Sequence, residues 1–127
     1  MMLKLSHKIH IDADRDRTFD ALSTTEGLTG WYTPNIEGEV AEGREAIFRF
    51  AGRRPFRWRV VELTPGSGAR WECVEGPGNA AGTVVTFRVS DAGDGTVVEL
   101  DHAGWQDGDD AFTTCNTLWG ALMHHLS

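Results

Sequence analysis

Residues 56–75, Phe56-Arg-Trp-Arg-Val-Val-Glu-Leu-Thr-Pro-Gly-Ser-Gly-Ala-Arg-Trp-Glu-Cys-Val-Glu75, decide the fold. Phe56, Trp58 and Val60 alternate with Arg57, Arg59 and Val61, the period of two that a half-buried strand requires. Pro65-Gly66-Ser67-Gly68 is a strong turn. Beyond it Trp71, Cys73 and Glu75 alternate with Arg70, Glu72 and Val74. Two strands joined by so short a turn must pair antiparallel, since parallel neighbours need a long crossover. The alternation of aromatic and charged residues gives the pair one buried and one wet face.

The same signal extends in both directions. Upstream, Ile36 to Val40 and Glu45 to Ala51 read as strands, the second carrying Ala46, Phe48 and Phe50 on one face. Downstream, Val85, Phe87 and Val89 alternate with Thr86 and Arg88, and Val98, Leu100 and His102 with Glu99 and Asp101. These six strands predict an antiparallel meander, with Arg49, Arg57, Arg59, Arg88, Glu72, Glu99 and Asp101 forming a solvated, cross-strand-paired outer face. Ahead of them, Leu5, His7, Ile9 and Ile11 mark a further strand. Asp14 is an N-cap candidate for a helix through Phe19 and Leu22, and Leu28 to Trp31 forms a second short helical piece ended by Pro34. From Asp109 to Leu126 the period changes. Phe112, Cys115, Leu118, Trp119, Leu122 and Met123 make one apolar stripe on a long amphipathic helix.

The 127 residues, 40% hydrophobic and 24% charged, fit one soluble domain spanning 1–127. The formal net charge of −7 argues against a nucleic-acid or anionic-membrane partner. The amino terminus becomes charged too soon for a signal peptide, and no apolar run is long enough to insert into a membrane. A cytoplasmic protein with Cys73 and Cys115 reduced is the expectation.

The order of elements, with these residues at its joints, resembles the helix-grip fold of the START-like superfamily, also called SRPBCC. Within it, the chain is similar to the group homologous to the activator of the heat-shock-protein-90 ATPase. The matching pieces are Ala13 to Leu22, Leu28-Thr29-Gly30-Trp31, Trp58 to Pro65, Gly82 to Phe87, and His102-Ala103-Gly104-Trp105. The resemblance implies an α+β fold, a curved antiparallel sheet wrapped around the C-terminal helix with an apolar cavity between them. One departure from the family pattern is that the sequence stops at Ser127, soon after Trp119, where relatives often continue the helix for a turn or more. The far mouth of the cavity is therefore expected to be more open, or to be closed by a partner subunit in a homodimer.

In that fold the ligand-facing set is Phe48, Phe50, Trp58, Trp71, Cys73, Phe87, Leu100 and His102 from the sheet, joined by Phe56, Val60 and Val98. Leu118, Trp119 and Leu122 add to it from the helix, with Trp31 near an entrance. Large aromatics with few polar atoms suit a small hydrophobic or aromatic ligand as readily as they fill a core. His102, and Glu75 if it meets His102 across the sheet, are the candidates for acid–base chemistry. A structural role for His102 at the strand end competes with that reading. Cys73 lacks a neighbouring base and reads as an inert buried thiol. No Gly-x-Ser-x-Gly, metal-ligand spacing or nucleotide-binding glycine pattern occurs, so neither cofactor nor metal is expected. Three functions follow: a ligand-binding domain without catalysis, a cyclase- or hydrolase-type enzyme using His102, and a co-chaperone-like interaction domain.

Overall fold

A computed structural model describes residues 3–33, 35–49, 54–76, 80–105, 116, 119 and 120. Strand β1 (Leu3–Ile11) leads into helices α1 (Arg15–Ser23) and α2 (Thr25–Thr29). Six strands follow: β2 (Asn35–Gly38), β3 (Glu45–Arg49), β4 (Phe56–Thr64), β5 (Gly68–Glu75), β6 (Val84–Asp91) and β7 (Thr96–Trp105). They form one antiparallel sheet in the order β1-β7-β6-β5-β4-β3-β2. This is the α+β helix-grip architecture, with the meander predicted from the turns and β1 returning to pair with β7.

The short helices begin where side chains cap them. Asp14 accepts from the Arg17 N–H at 2.8 Å, and Thr24 accepts from the Gly27 N–H at 2.9 Å. The second helix therefore starts at Thr25, three residues earlier than its hydrophobic pattern suggests, and Trp31 lies in the turn beyond it. Strand β2 ends at Gly38 rather than Val40, because Gly38 adopts a positive φ of 94° and the Val40 N–H turns to Thr25 Oγ1. Of the predicted C-terminal helix, Asn116, Trp119 and Gly120 are described, and they are helical. The rest of that span, including Phe112, Cys115, Leu118, Leu122 and Met123, lies outside the described residues, as does Phe50.

Two register shifts bend the β4–β5 hairpin. Val60 pairs with Trp71 and Glu62 with Arg70, which leaves Val61 as an extra, exposed residue. Trp58 pairs with Cys73 but Arg57 pairs with Glu75, so Val74 is extra on β5. Such bulges re-aim the following side chain and increase local twist. At the start of β5, Gly68 approaches β6 closely, and a Cβ there would run into the Phe87 carbonyl.

The inner face of the sheet carries Phe48, Phe56, Trp58, Val60, Trp71, Cys73, Val85, Phe87, Leu100 and His102, all buried. Leu22, Leu28, Trp31 and Tyr32 cover it from the helical segment, and Trp119 from the carboxy-terminal side. The outer face is charged. Glu45 bridges Arg57 and Arg59, Arg59 reaches Glu72, and Arg88 sits 2.8 Å from Asp101. None of the described helices is long and apolar enough to cross a membrane.

Candidate functional site

The inner face is an aromatic cluster whose rings come from three separate parts of the chain. Trp71, at the centre of the sheet, stands 5.0 Å from Phe87, 5.9 Å from Phe48 and 5.9 Å from Trp58 between ring centroids. Trp58 also stacks on Phe56, nearly parallel at 5.6 Å. Tyr32 reaches over from the turn after α2 to meet Phe48 at 4.9 Å, Trp119 at 5.2 Å and Trp71 at 6.2 Å. Trp119 completes the roof against Phe87 and His102. Edge-to-face contacts of this kind add about 0.5–1.5 kcal/mol each to the burial of the rings.

His102 is the polar centre of this cluster. It has no exposed surface, and its ring touches those of Trp58, Trp105 and Trp119. The Trp119 indole N–H donates to His102 Nδ1 at 3.0 Å, so Nδ1 is the bare nitrogen. The Thr83 hydroxyl donates to the Ala80 carbonyl at 2.6 Å and therefore accepts from His102 Nε2–H at 2.7 Å. The relay runs Trp119 to His102 to Thr83 to the Ala80 backbone, and it fixes one neutral tautomer. Burial pushes the imidazole pKa down to about 3. A proton added at Nδ1 would face the Trp119 N–H, donor against donor. The arrangement suits a structural imidazole that ties the carboxy-terminal segment to β7, and it leaves no nitrogen free to take a proton from a substrate.

Phe48, Trp58, Trp71, Cys73, Phe87, Leu100, His102 and Trp119 share the inner face. Glu75 does not. The extra residue at Val74 turns it to the outer face opposite Arg57, where it is exposed, so it cannot form an acid–base pair with His102. Trp31 is only 7% exposed, and its indole N–H donates to the Ala21 carbonyl at 2.7 Å. It anchors the two short helices and does not stand at an entrance. Cys73 is a buried thiol whose Sγ lies 3.3 Å from the Glu75 carbonyl oxygen.

Three contributors escaped the sequence reading. Tyr32 was overshadowed by its neighbour Trp31, although an aromatic pair before Thr33-Pro34 is a signal that both rings have work to do. Thr83 lies within the piece Gly82 to Phe87, where its residue type alone does not mark its hydroxyl as the partner of His102. Trp105, fully buried against His102, sits after Gly104, whose φ of 91° lets the chain turn its indole inward.

The tryptophans differ in how their N–H groups end. Those of Trp31 and Trp119 have acceptors. Those of Trp58 and Trp71 are buried and have no hydrogen-bond acceptor among the described residues. An unpaired buried donor costs about 1–3 kcal/mol, a cost phenylalanine would avoid in the same place.

Comparison with known families agrees with this geometry. Residues 2–114 match the family described as polyketide cyclase / dehydrase and lipid transport. The chain belongs to that family. It is thereby a member of the START-like SRPBCC superfamily, as its motifs suggest. Among solved structures it is similar to the Aha1 dimer from Colwellia psychrerythraea. That match has 28% identity and a TM-score of 0.87, and covers 98% of this chain and 92% of that one. A protein from Mesorhizobium loti matches at 15% identity and a TM-score of 0.84, covering 98% and 93% of the two chains. CalU16 from Micromonospora echinospora matches at 18% identity and a TM-score of 0.74, covering 99% and 80%. These last two likenesses concern the fold alone. No curated protein matches the chain.

Proposed function

We propose that this chain, acting as one cytoplasmic domain, binds a small hydrophobic or aromatic molecule between the sheet and the C-terminal helix, without catalysing a reaction. The aromatic cluster carries the reading: Tyr32, Phe48, Trp58, Trp71, Phe87 and Trp119 converge from sheet, turn and helix on one apolar interior. Family membership supports it, since both polyketide and lipid handling appear in the family's description. The neutral, doubly hydrogen-bonded His102 and the outward Glu75 weigh against the acid–base alternative.

The test is a thermal-shift screen against sterols, fatty acids and aromatic polyketides. A ligand that binds only the folded state raises the melting temperature in proportion to its occupancy. We expect a concentration-dependent rise with at least one of these classes. A melt that none of them moves would remove the binding reading.

A second copy of the chain is also a partner we propose, on the ground that the similar Colwellia protein is described as a dimer. Light scattering at micromolar concentration should give twice the monomer mass of 14.0 kDa. A monomer mass across the concentration range would exclude it.

A further inference from the structure

Among the described residues of the aromatic interior, Trp58 and Trp71 present a specific chemistry that a ligand could answer. The two indoles are neighbours, 5.9 Å apart between centroids and inclined at 53°, on paired strands β4 and β5. Each is at most 1% exposed, and neither N–H meets an acceptor among the described residues. Buried donors are paired in most folded proteins, so two adjacent unpaired ones call for a reason. Packing alone does not supply it, because phenylalanine fills an aromatic core without a donor. The hydrogens of His102, Thr83 and Trp119 are already committed to one another and to Ala80.

Charge narrows the partner further. Every lysine and arginine among the described residues lies off the inner face, and His102 is neutral. A carboxylate or phosphate brought into this interior would be buried without a counter-charge, which is costly. A pure hydrocarbon would leave both indole donors unpaired. What fits is a flat, uncharged ring system bearing oxygen acceptors.

We propose that Trp58 and Trp71 form the polar recognition element of the ligand site, donating hydrogen bonds to the ring carbonyl oxygens of a neutral, planar, multi-ring ligand. The inference rests on the binding reading given above. Because neither indole nitrogen is accessible in this structure, the ligand enters by displacing a ring that does not belong to the sheet. Tyr32, which lies over Trp71 and Phe48, is that ring, and the bond from Trp119 to His102 stays made.

Fluorenone and fluorene make a matched pair of probes, alike in shape and differing by one carbonyl. Binding is read by quenching of tryptophan fluorescence, and the indole protons by nitrogen-15 NMR of the intact chain. We expect fluorenone to bind about tenfold tighter than fluorene, the scale of one good buried hydrogen bond. It should move the Trp58 or Trp71 indole proton downfield, and fluorene should not. In Trp58→Phe and Trp71→Phe, and most fully in the double variant, the preference should fall below about twofold. If the two probes bind the wild type equally and no indole proton moves, the interior binds by shape alone. The donor inference then fails while the binding reading stands. If neither probe binds, both fail together. The NMR comparison uses only the wild type, so it decides the matter even if a variant does not fold.

Discussion

The two faces of the sheet use polar side chains in opposite ways. On the outer face, Glu45 stands between Arg57 and Arg59, and Arg88 bonds Glu99 and Asp101, all partly in water. On the inner face a few polar groups, His102, Thr83 and the Trp119 indole, are wholly or almost wholly shielded. An exposed ion pair gains little, because water solvates each partner almost as well. A buried hydrogen bond gains little more when made, but leaving one partner unpaired costs the full desolvation of that group. The inner face is therefore where single substitutions are expected to be severe, and the outer face is where they are expected to be mild.

The sharpest version of that contrast is Trp71→Ala. The substitution removes an indole with no exposed surface and strips contacts from Tyr32, Phe48, Trp58 and Phe87 at once. Removing an aromatic side chain from a packed core costs about 3–5 kcal/mol, so chemical denaturation should show a loss of that order. A loss below about 1 kcal/mol would mean that the rings around Trp71 are loosely held.

Acid should come next. Burial holds the folded pKa of His102 at about 3, against the ordinary 6.5 in the unfolded chain, so the unfolded chain binds a proton that the folded chain refuses. Stability is then fully present above about pH 6.5 and declines as pH falls toward 3, by at most about 1.4 kcal/mol per pH unit from this one group. His102→Gln, which cannot titrate, should have a lower stability at pH 7 and a flatter profile from pH 6.5 to 4. If the wild type is equally stable at pH 7 and pH 4.5, the imidazole is not held neutral as described. Thr83→Val isolates the other end of the relay. It leaves His102 Nε2–H without its acceptor and should cost about 1–3 kcal/mol.

Much of this was legible in the sequence, and the omissions have physical causes. The alternation in 56–61 and 70–73 gave both strands and their inward sets, because a side-chain period of two is imposed by the pleat. Glu75 defeated the same logic, since one extra residue at Val74 reverses the faces beyond it and nothing in the amino-acid identities marks a bulge. His102 was legible as buried and polar at the end of an inward run. Its partners were not, because Thr83 lies 19 residues away and Trp119 lies 17 residues away, and only the folded register brings them together. The short helices were located by their apolar residues. Their true starts were set by Asp14 and Thr24, whose caps are local and readable, but the second was hidden inside Thr24-Thr25-Glu26-Gly27, which reads equally well as a break.

The smallest effect expected is on the outer face, and it completes the contrast. Glu45→Ala removes the carboxylate that lies 3.7 Å from both Arg57 and Arg59. All three side chains are more than a third exposed, so their attraction is screened by water and by salt. Arg59 also keeps Glu72 at 3.7 Å, so its charge is not stranded when Glu45 is lost. The cost should be about 0–1 kcal/mol in low salt, and should shrink further in about 1 M salt, where screening acts within a few ångströms. A larger, salt-insensitive loss would place these residues in a drier environment than their exposure indicates. The outer ladder would then have to be ranked with the His102 relay as a structural core of the sheet, and the division of labour between the two faces would fall.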